Sequence, residues 1–316
     1  MRVCSLFSGI GGIDLGFQQA GFEIVWANDF DAYAAKTYRH NFGKHNFIFK
    51  DIKKVEIDSI PYFDILAAGF PCQPFSSAGL QKGFSDTRGT LFFDIVKIVE
   101  KKRPKIIFLE NVANLLGHDD GKTFLTIYNA LVPYGYCFKY QVMDALDYGN
   151  VPQKRSRIFI VAFIDDEMCD RFRFPDKIKR TCYLNDIINR TIKHDDLYYF
   201  SQKDKDYEKL KEIVVNKSTI YRFYDSIDVY KSYRICPTLL ASMGKFPDSI
   251  PVVLDNFGIR RITPYECLAL QGFPKEFRFP NIPIDRAYKQ CGNSVVVPVI
   301  RRIAENIRFV MEEQNG

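Results

Sequence analysis

The sequence predicts an α/β protein: a doubly wound, mostly parallel sheet joined to a smaller, irregular second domain. Three observations predict this. Short apolar runs of strand character alternate with helix-spaced segments through the first half. Three unusual stretches, SGIGG, GFPCQ and ENV, each directly follow such a run. Beyond Phe174 the alternation gives way to a segment rich in Lys, Asp, Tyr and Asn with weak periodicity.

Arg2 to Phe7 (RVCSLF) reads as a buried strand, followed by SGIGG and a helix from Ile13 to Ala20. Phe22 to Asn28 is a second strand and Ala32 to Asn41 a second helix. Phe63 to Ala68 (FDILAA) is a strand ending just before Cys72, and Leu91 to Lys102 repeats apolar residues at helical spacing. Lys105 to Leu109 is a short buried strand, Thr123 to Leu131 a helix, and Phe138 to Met143 and Ile158 to Phe163 are further strands. The last segment, CGNSVVVPVIRRIAENIRFVMEE, is a turn followed by a helix. The expected division is a first domain of residues 1–184 with 285–316, and a second of 185–284.

Composition bounds the function classes. The chain has 316 residues, 47% hydrophobic and 26% charged, an ordinary globular mixture. No apolar run reaches a membrane span of about 18 residues, and the N-terminus lacks the features of a secretion signal, so a cytoplasmic protein is expected. The net charge of +6 permits a polyanionic partner without requiring one. Eight cysteines occur without a C-x-x-C pair and four histidines without H-E-x-x-H, so no metal site is expected. The default reading of each cysteine is a small buried hydrophobe. Cys72 departs from that default.

In doubly wound sheets ligands bind beyond the carboxyl ends of the strands. Gly9, Gly11 and Gly12 in FSGIGG let backbone approach a ligand closely, but their spacing is not that of G-x-G-x-x-G. Asp29 ends the second strand, where a carboxylate can accept hydrogen bonds from ribose hydroxyls, and Asp51 follows in the next unit. The set suits an adenosine-bearing cofactor held without a pyrophosphate cradle. Cys72 sits between Pro71 and Pro74 at a strand's end, exposed as a core cysteine is not. Glu110, straight after an apolar strand, is expected to be buried, with its proton held more firmly for that reason. Arg155 and Arg157 alternate in QKRSRIF, and a period of two in a strand would aim both at one face. A nucleophilic thiol, a protonated carboxyl and two arginines can act on a pyrimidine. The thiolate adds to C6, the carboxyl draws charge through N3, and C5 becomes a carbon nucleophile for a methyl donor.

These residues, in this order, resemble the DNA (cytosine-5) methyltransferases of bacterial restriction-modification systems. The match runs through FSGIGG, Asp29, Asp51, GFPCQ, FLENV, QKRSR, RRITPYECLALQGFP and CGNSVV. The stretches DTRGTLFFDIVKIVEKKRPKIIFLENV and DALDYGNVPQKRSRIF look most like the HhaI branch. The resemblance implies a Rossmann-like methyltransferase fold with a target-recognition domain. It implies S-adenosyl-L-methionine as methyl donor, S-adenosyl-L-homocysteine as product, and a cytosine flipped out of double-stranded DNA.

Residue by residue, the resemblance implies Cys72 as nucleophile, Glu110 at the cytosine N3 and amine, and Arg155 and Arg157 steadying base and phosphates. Phe7, Gly9, Ile10, Gly11, Gly12, Asp29, Phe30, Asp51, Ile52, Pro71, Leu91, Asn293 and Ser294 would line the cofactor pocket. Gln73, Ser76, Arg88 and Thr238 would face DNA, with Thr238 on a backbone phosphate. The loop from Phe70 to Thr90 would close over the substrate. Base readout would come from roughly Leu184 to Ile262, with Lys217, Ser218, Tyr221, Arg222, Lys245 and Asp248 as candidates. A monomer is expected. Two departures stand out: the family carries Glu where this chain has Asp29, one methylene shorter, and Trp where it has Phe30. A DNA-binding module without catalysis and an RNA methyltransferase on the same scaffold stay open as alternatives.

Overall fold

The computed structural model describes residues 1–43, 46–70, 91–204, 207–224, 228–245 and 249–313. Contacts divide the chain into two compact units: residues 1–143, 156–176 and 299–316, and residues 144–155 and 177–298. The division groups 144–155, 177–184 and 285–298 with the second unit, residues that the expected boundaries placed in the first.

The first unit is built on a seven-stranded sheet. Its strands are β1 Arg2–Leu6, β2 Glu23–Asp29, β3 Phe47–Phe49, β4 Ile65–Gly69, β5 Ile106–Val112, β6 Cys137–Asp144 and β7 Ser156–Phe163, in the order β3-β2-β1-β4-β5-β7-β6. The pairs β2–β3, β1–β2, β1–β4 and β4–β5 are parallel, and β5–β7 is antiparallel. The order turns back at β1 and β4, which lead out in opposite directions. That is the topological switch point at which such sheets bind ligands. No periodicity in the sequence reveals β3, whose three residues are too few for one to show.

The central strands are apolar on both faces because helices cover both. On one face Leu6, Leu66, Leu109 and Ile160 meet Phe92, Ile95 and Val99 of the helix Leu91–Lys102. On the other, Phe17 of the helix Gly12–Gln19 packs edge-on to Phe108, ring centroids 5.3 Å apart. That helix also lies against the C-terminal helix Val297–Glu312 at Gly16. A Cβ at Gly16 would stand 2.6 Å from Ile300 and 3.0 Å from the Arg301 nitrogen, so only glycine fits.

The second unit holds a four-stranded antiparallel sheet, β8 Thr219–Tyr224, β9 Asp228–Tyr233, β10 Val252–Leu254 and β11 Ile259–Arg261, in the order β11-β10-β8-β9. The buried Arg260 organises its edge. Its Nε donates to Asp255 Oδ2 at 2.8 Å and its terminal nitrogens reach both Glu266 oxygens at 2.8 Å. Glu266 is also the third residue of a capping box: Thr263 Oγ1 accepts the Glu266 N–H, and Glu266 accepts the Thr263 N–H. One arginine thus ties β11 to the start of the helix Pro264–Leu270.

Two cysteines are not the isolated buried thiols expected of them. Cys4, Cys236, Cys267 and Cys291 are buried free thiols and Cys182 is half-buried, but Cys137 and Cys169 form a disulfide, Cα atoms 6.2 Å apart. They lie 32 residues apart in sequence. The helix Asp166–Arg171 after β7 folds back beside β6, a neighbour relation that cysteine spacing does not reveal.

Gly16→Ala tests the helix contact. Alanine gains about 1 kcal/mol in helix propensity, but forcing a methyl into a filled site costs ~1–3 kcal/mol. Net destabilisation is expected in urea unfolding. A stabilised variant would show that the two helices separate readily.

Candidate active site and cofactor cradle

The site is built at the carboxyl ends of β1, β2, β4 and β5. Parallel pairing aligns Leu6 with Ala68 and Gly69 with Glu110, so the turns after these strands leave from one edge. After β1 the chain turns sharply: Phe7 and Gly9 both have φ of 55° and Gly11 has 88°. A left-handed phenylalanine costs on the order of 1–3 kcal/mol and needs firm support from its surroundings. At Gly11 a side chain is excluded by space as well, since a Cβ would meet Phe42 Cε2 at 2.3 Å. At Gly9 nothing lies within 4 Å of that position, so the turn is open there.

Asp29 holds this turn. Its Oδ2 accepts the Gly9 N–H at 2.8 Å and its Oδ1 the Asp31 N–H at 2.8 Å. Burial raises its pKa above the ordinary carboxylate value, against these hydrogen bonds, which lower it. Each carboxylate oxygen can accept more than one hydrogen bond. Beside it Phe30 is 65% exposed, a bare aromatic face next to a polar acceptor. Asp51 accepts the Lys53 N–H at 3.0 Å, and Ile52 behind it is buried. Ile10 and Gly12 are buried, Phe7 and Leu91 half-buried. An open glycine position, an acceptor with spare lone pairs and an adjacent exposed ring suit the ribose and base of an adenosine.

Sequence reasoning missed the support beneath the turn. Asp14 is fully buried in the first turn of the helix Gly12–Gln19. Its Oδ2 accepts the Tyr38 hydroxyl at 2.6 Å and its Oδ1 the Ser5 hydroxyl. Ser8 Oγ donates to Ser5 and accepts the Asn28 N–H at 3.3 Å. This chain links β1, the turn, β2 and the helix Ala32–Phe42. Burial pushes the Asp14 pKa up to about 6, against the hydrogen bonds from Ser5 and Tyr38 that lower it. The available signal was a carboxylate on the apolar face of GIDLGF, between buried Ile13 and Phe17.

Glu110 and Asn111 lie inside β5, not after it. Asn111 is buried and its Nδ2 donates to the Phe70 carbonyl at 3.0 Å, fixing the chain just beyond β4. Glu110 Oε1 meets Arg157 Nε at 3.1 Å, side chains 11% and 16% exposed. The register explains the pair. Glu110 stands opposite Phe159 and Val112 opposite Arg157, so the carboxylate and the guanidinium are diagonal neighbours on one face. The expectation for Glu110 rests on burial alone; the structure adds the Arg157 guanidinium beside it.

Arg155 does not share that face. The period-two argument applies inside a strand, and β7 begins at Ser156. Arg155 is buried in the second unit, where its terminal nitrogens donate to the carbonyls of Leu239 at 2.9 Å, Gly292 at 3.2 Å, and Ser294. Asn293 and Ser294 also belong to the second unit. Asn293 is exposed, while Ser294 buries a hydroxyl with no partner among the described residues. Thr238 Oγ1 donates to the Lys154 carbonyl at 2.7 Å. Among the readout candidates Tyr221 and Arg222 are buried, Tyr221 in an apolar cluster and Arg222 against the Thr238 carbonyl, so neither presents itself for base contact. Pro71, Cys72, Gln73, Ser76, Arg88 and Asp248 lie outside the described residues. No group of three or more His, Cys, Asp or Glu among the described residues has the geometry for a metal ion. No helix among them is long and apolar enough to cross a membrane.

Comparison with known proteins bears on this geometry. The sequence pattern of the C-5 cytosine-specific DNA methylases matches residues 1–308. The Type II methyltransferase M.Bsp6I of Bacillus sp. (strain RFL6) is 47% identical over 310 residues, 97% of this chain and 98% of that protein. The Type II methyltransferase M.HhaI of Haemophilus parahaemolyticus is 37% identical over 314 residues, 97% and 94% of the two chains. In fold, a mutant of Spodoptera frugiperda DNMT2 superposes with a TM-score of 0.73 at 20% identity, covering 97% of this chain and 99% of its own.

Asp14→Asn tests the support beneath the turn. A folded-state pKa of about 6, above the ordinary 3.8, means that burial of Asp14 is uncompromised below pH 4 and opposes folding increasingly as pH rises to about 6. The stability of the variant relative to the native protein is therefore expected to improve by up to roughly 3 kcal/mol between pH 4 and 7. Urea unfolding of both across that range checks it. A pH-independent difference would show that Asp14 does not titrate there.

Proposed function

The chain belongs to the C-5 cytosine-specific DNA methylases, and on that premise we propose that it is a sequence-specific DNA (cytosine-5) methyltransferase of a Type II restriction-modification system. The observation that carries the mechanistic reading is the Glu110–Arg157 pair at the end of β5, two strands from the glycine turn and next to β4, the strand that leads to Cys72.

In this reading S-adenosyl-L-methionine is held by Phe7, Gly9, Asp29, Phe30, Asp51, Ile52 and Leu91, and when bound it supplies an electrophilic methyl group. Asp29 accepts from the ribose with the lone pairs that Gly9 and Asp31 leave open. Phe30 covers the adenine with a smaller ring than tryptophan would give. The substrate is a cytosine flipped from the duplex, at an unstacking cost of a few kcal/mol (order of magnitude).

The Cys72 thiolate adds to C6, and the electron pair of the C5–C6 bond moves towards C5 and N3. Glu110, oriented by Arg157, hydrogen-bonds N3 and the exocyclic amine and shares a proton with N3 as charge develops. Once C5 carries the methyl group, loss of its proton and departure of Cys72 restore the ring. Arg157 thus has two roles: it orients Glu110 and supplies positive charge beside the base. Arg155 touches backbone carbonyls rather than substrate.

Transfer of tritiated methyl groups to duplex DNA, with tRNA as the competing substrate, tests the activity. Transfer to DNA is expected, and transfer to tRNA alone would replace this reading with that of an RNA methyltransferase. Cys72→Ser should lower turnover by about a thousandfold or more while keeping cofactor and DNA binding. A duplex with 5-fluorocytosine at the target should trap the native enzyme covalently, and normal turnover by Cys72→Ser would exclude the covalent route. Glu110→Gln is expected to cost about 10²- to 10⁴-fold in kcat with little change in cofactor affinity, read from initial rates.

A further inference from the structure

Residues Gln153 to Arg155 of VPQKRSRIF make an internal framework in the second unit. Gln153 is fully buried; its Nε2 donates to the Leu270 carbonyl at 3.1 Å and its Oε1 accepts the Leu239 N–H at 3.4 Å. Gln153 bridges Cys236 in parallel, with Cys236 N donating to Pro152 O at 2.7 Å and Lys154 N to Cys236 O at 2.9 Å. Lys154 O accepts the Thr238 hydroxyl. Arg155 then grips the carbonyls of Leu239, Gly292 and Ser294 with one guanidinium. The two segments it joins are already pressed together: a Cβ at Gly292 would stand 2.1 Å from the Leu240 carbonyl carbon, and one at Gly244 would stand 2.4 Å from the Asp285 carbonyl oxygen.

A guanidinium presents its donors in a rigid planar fork, so three carbonyls bound to it are held at set positions and angles. The segment so held contains Thr238, which has both its hydroxyl and its carbonyl engaged, the latter by Arg222 at 2.5 Å. We propose that Gln153 and Arg155 are positioning residues for DNA discrimination: they set the backbone of Cys236–Leu239 and of the Gly292–Ser294 turn, and do not take part in the chemistry at the base. The inference rests on the DNA methyltransferase reading.

The test uses the full chain with Arg155→Lys, whose single ammonium cannot span three carbonyls. The native target site is first found by bisulfite sequencing of methylated plasmid. Relative to native enzyme, the variant is expected to keep KM for S-adenosyl-L-methionine within about twofold and kcat within about threefold, to raise KM for DNA about tenfold, and to methylate sites differing at one base pair relatively faster. Amide hydrogen exchange is expected to speed up at Leu239 to Ala241 and Ser294 and to stay unchanged in β1 and β4.

A fall in kcat of about a hundredfold with KM for DNA unchanged would overturn the proposal and return Arg155 to the reacting base. Unchanged site choice with unchanged exchange would overturn it too. Gln153→Leu, which cuts the ties to Leu270 and Leu239 alone, should shift the same quantities in the same direction by less, and it decides the matter if Arg155→Lys is recovered unfolded. Failure of native protein to methylate duplex DNA would overturn the enzymatic reading, and hydrogen exchange would still report on the clamp.

Discussion

Parallel pairing of β1, β4 and β5 is the constraint from which the site follows. In a parallel sheet every strand exits at the same edge, so residues separated by tens of positions in sequence leave side by side. Leu6 beside Ala68 and Gly69 beside Glu110 are enough to bring the glycine turn, the approach to Cys72 and the carboxylate together. The antiparallel β7 adds what a parallel neighbour would not. It enters at the edge where β5 ends, so its first residues, Arg157 among them, lie beside the last residues of β5. A one-residue slip of β7 would turn Arg157 to the opposite face, away from Glu110.

Holding the turn after β1 in shape requires several unfavourable arrangements at once. Phe7 is in a left-handed conformation, Asp14 is a carboxylate without solvent, and Asp29 is a half-buried carboxylate. Each is offset locally. Asp14 collects two hydroxyl donors and lies in a helix's first turn, where negative charge is favoured. Asp29 collects two backbone N–H groups. The result is a stiff turn whose one open position, at Gly9, adjoins the acceptor and the exposed ring of Phe30. A turn ordered in advance would lose less entropy if a ligand bound there.

Arginine shows where residue type alone misleads. In a protein of net charge +6 that acts on DNA, an arginine reads first as an anion binder. Arg157 fits part of that description. Arg155 and Arg260 do not: one braces three carbonyls and the other two carboxylates, both out of solvent. The difference lies in what folding brings opposite each guanidinium, and neighbouring letters in QKRSRIF carry no trace of it. The same holds for Tyr221 and Arg222, polar in composition and buried in fact.

The sequence alone determined the fold class, the order of the longer elements in the first half and the family. These depend on local periodicity, on glycine and proline at strand ends, and on motifs whose order survives in one dimension. It also marked Asp29 as the carboxylate that ends β2, whereas Glu110, expected just after a strand, lies within β5. Only the tertiary structure decided the partners: Arg157 for Glu110, Gly9 for Asp29, Ser5 and Tyr38 for Asp14, Leu239, Gly292 and Ser294 for Arg155, and Cys169 for Cys137. Partnership is set by strand order, register and packing, which arise from the summed burial of the whole core. A residue's own neighbours in sequence state its chemistry, but burial and partner decide whether that chemistry faces a ligand or the protein's own backbone.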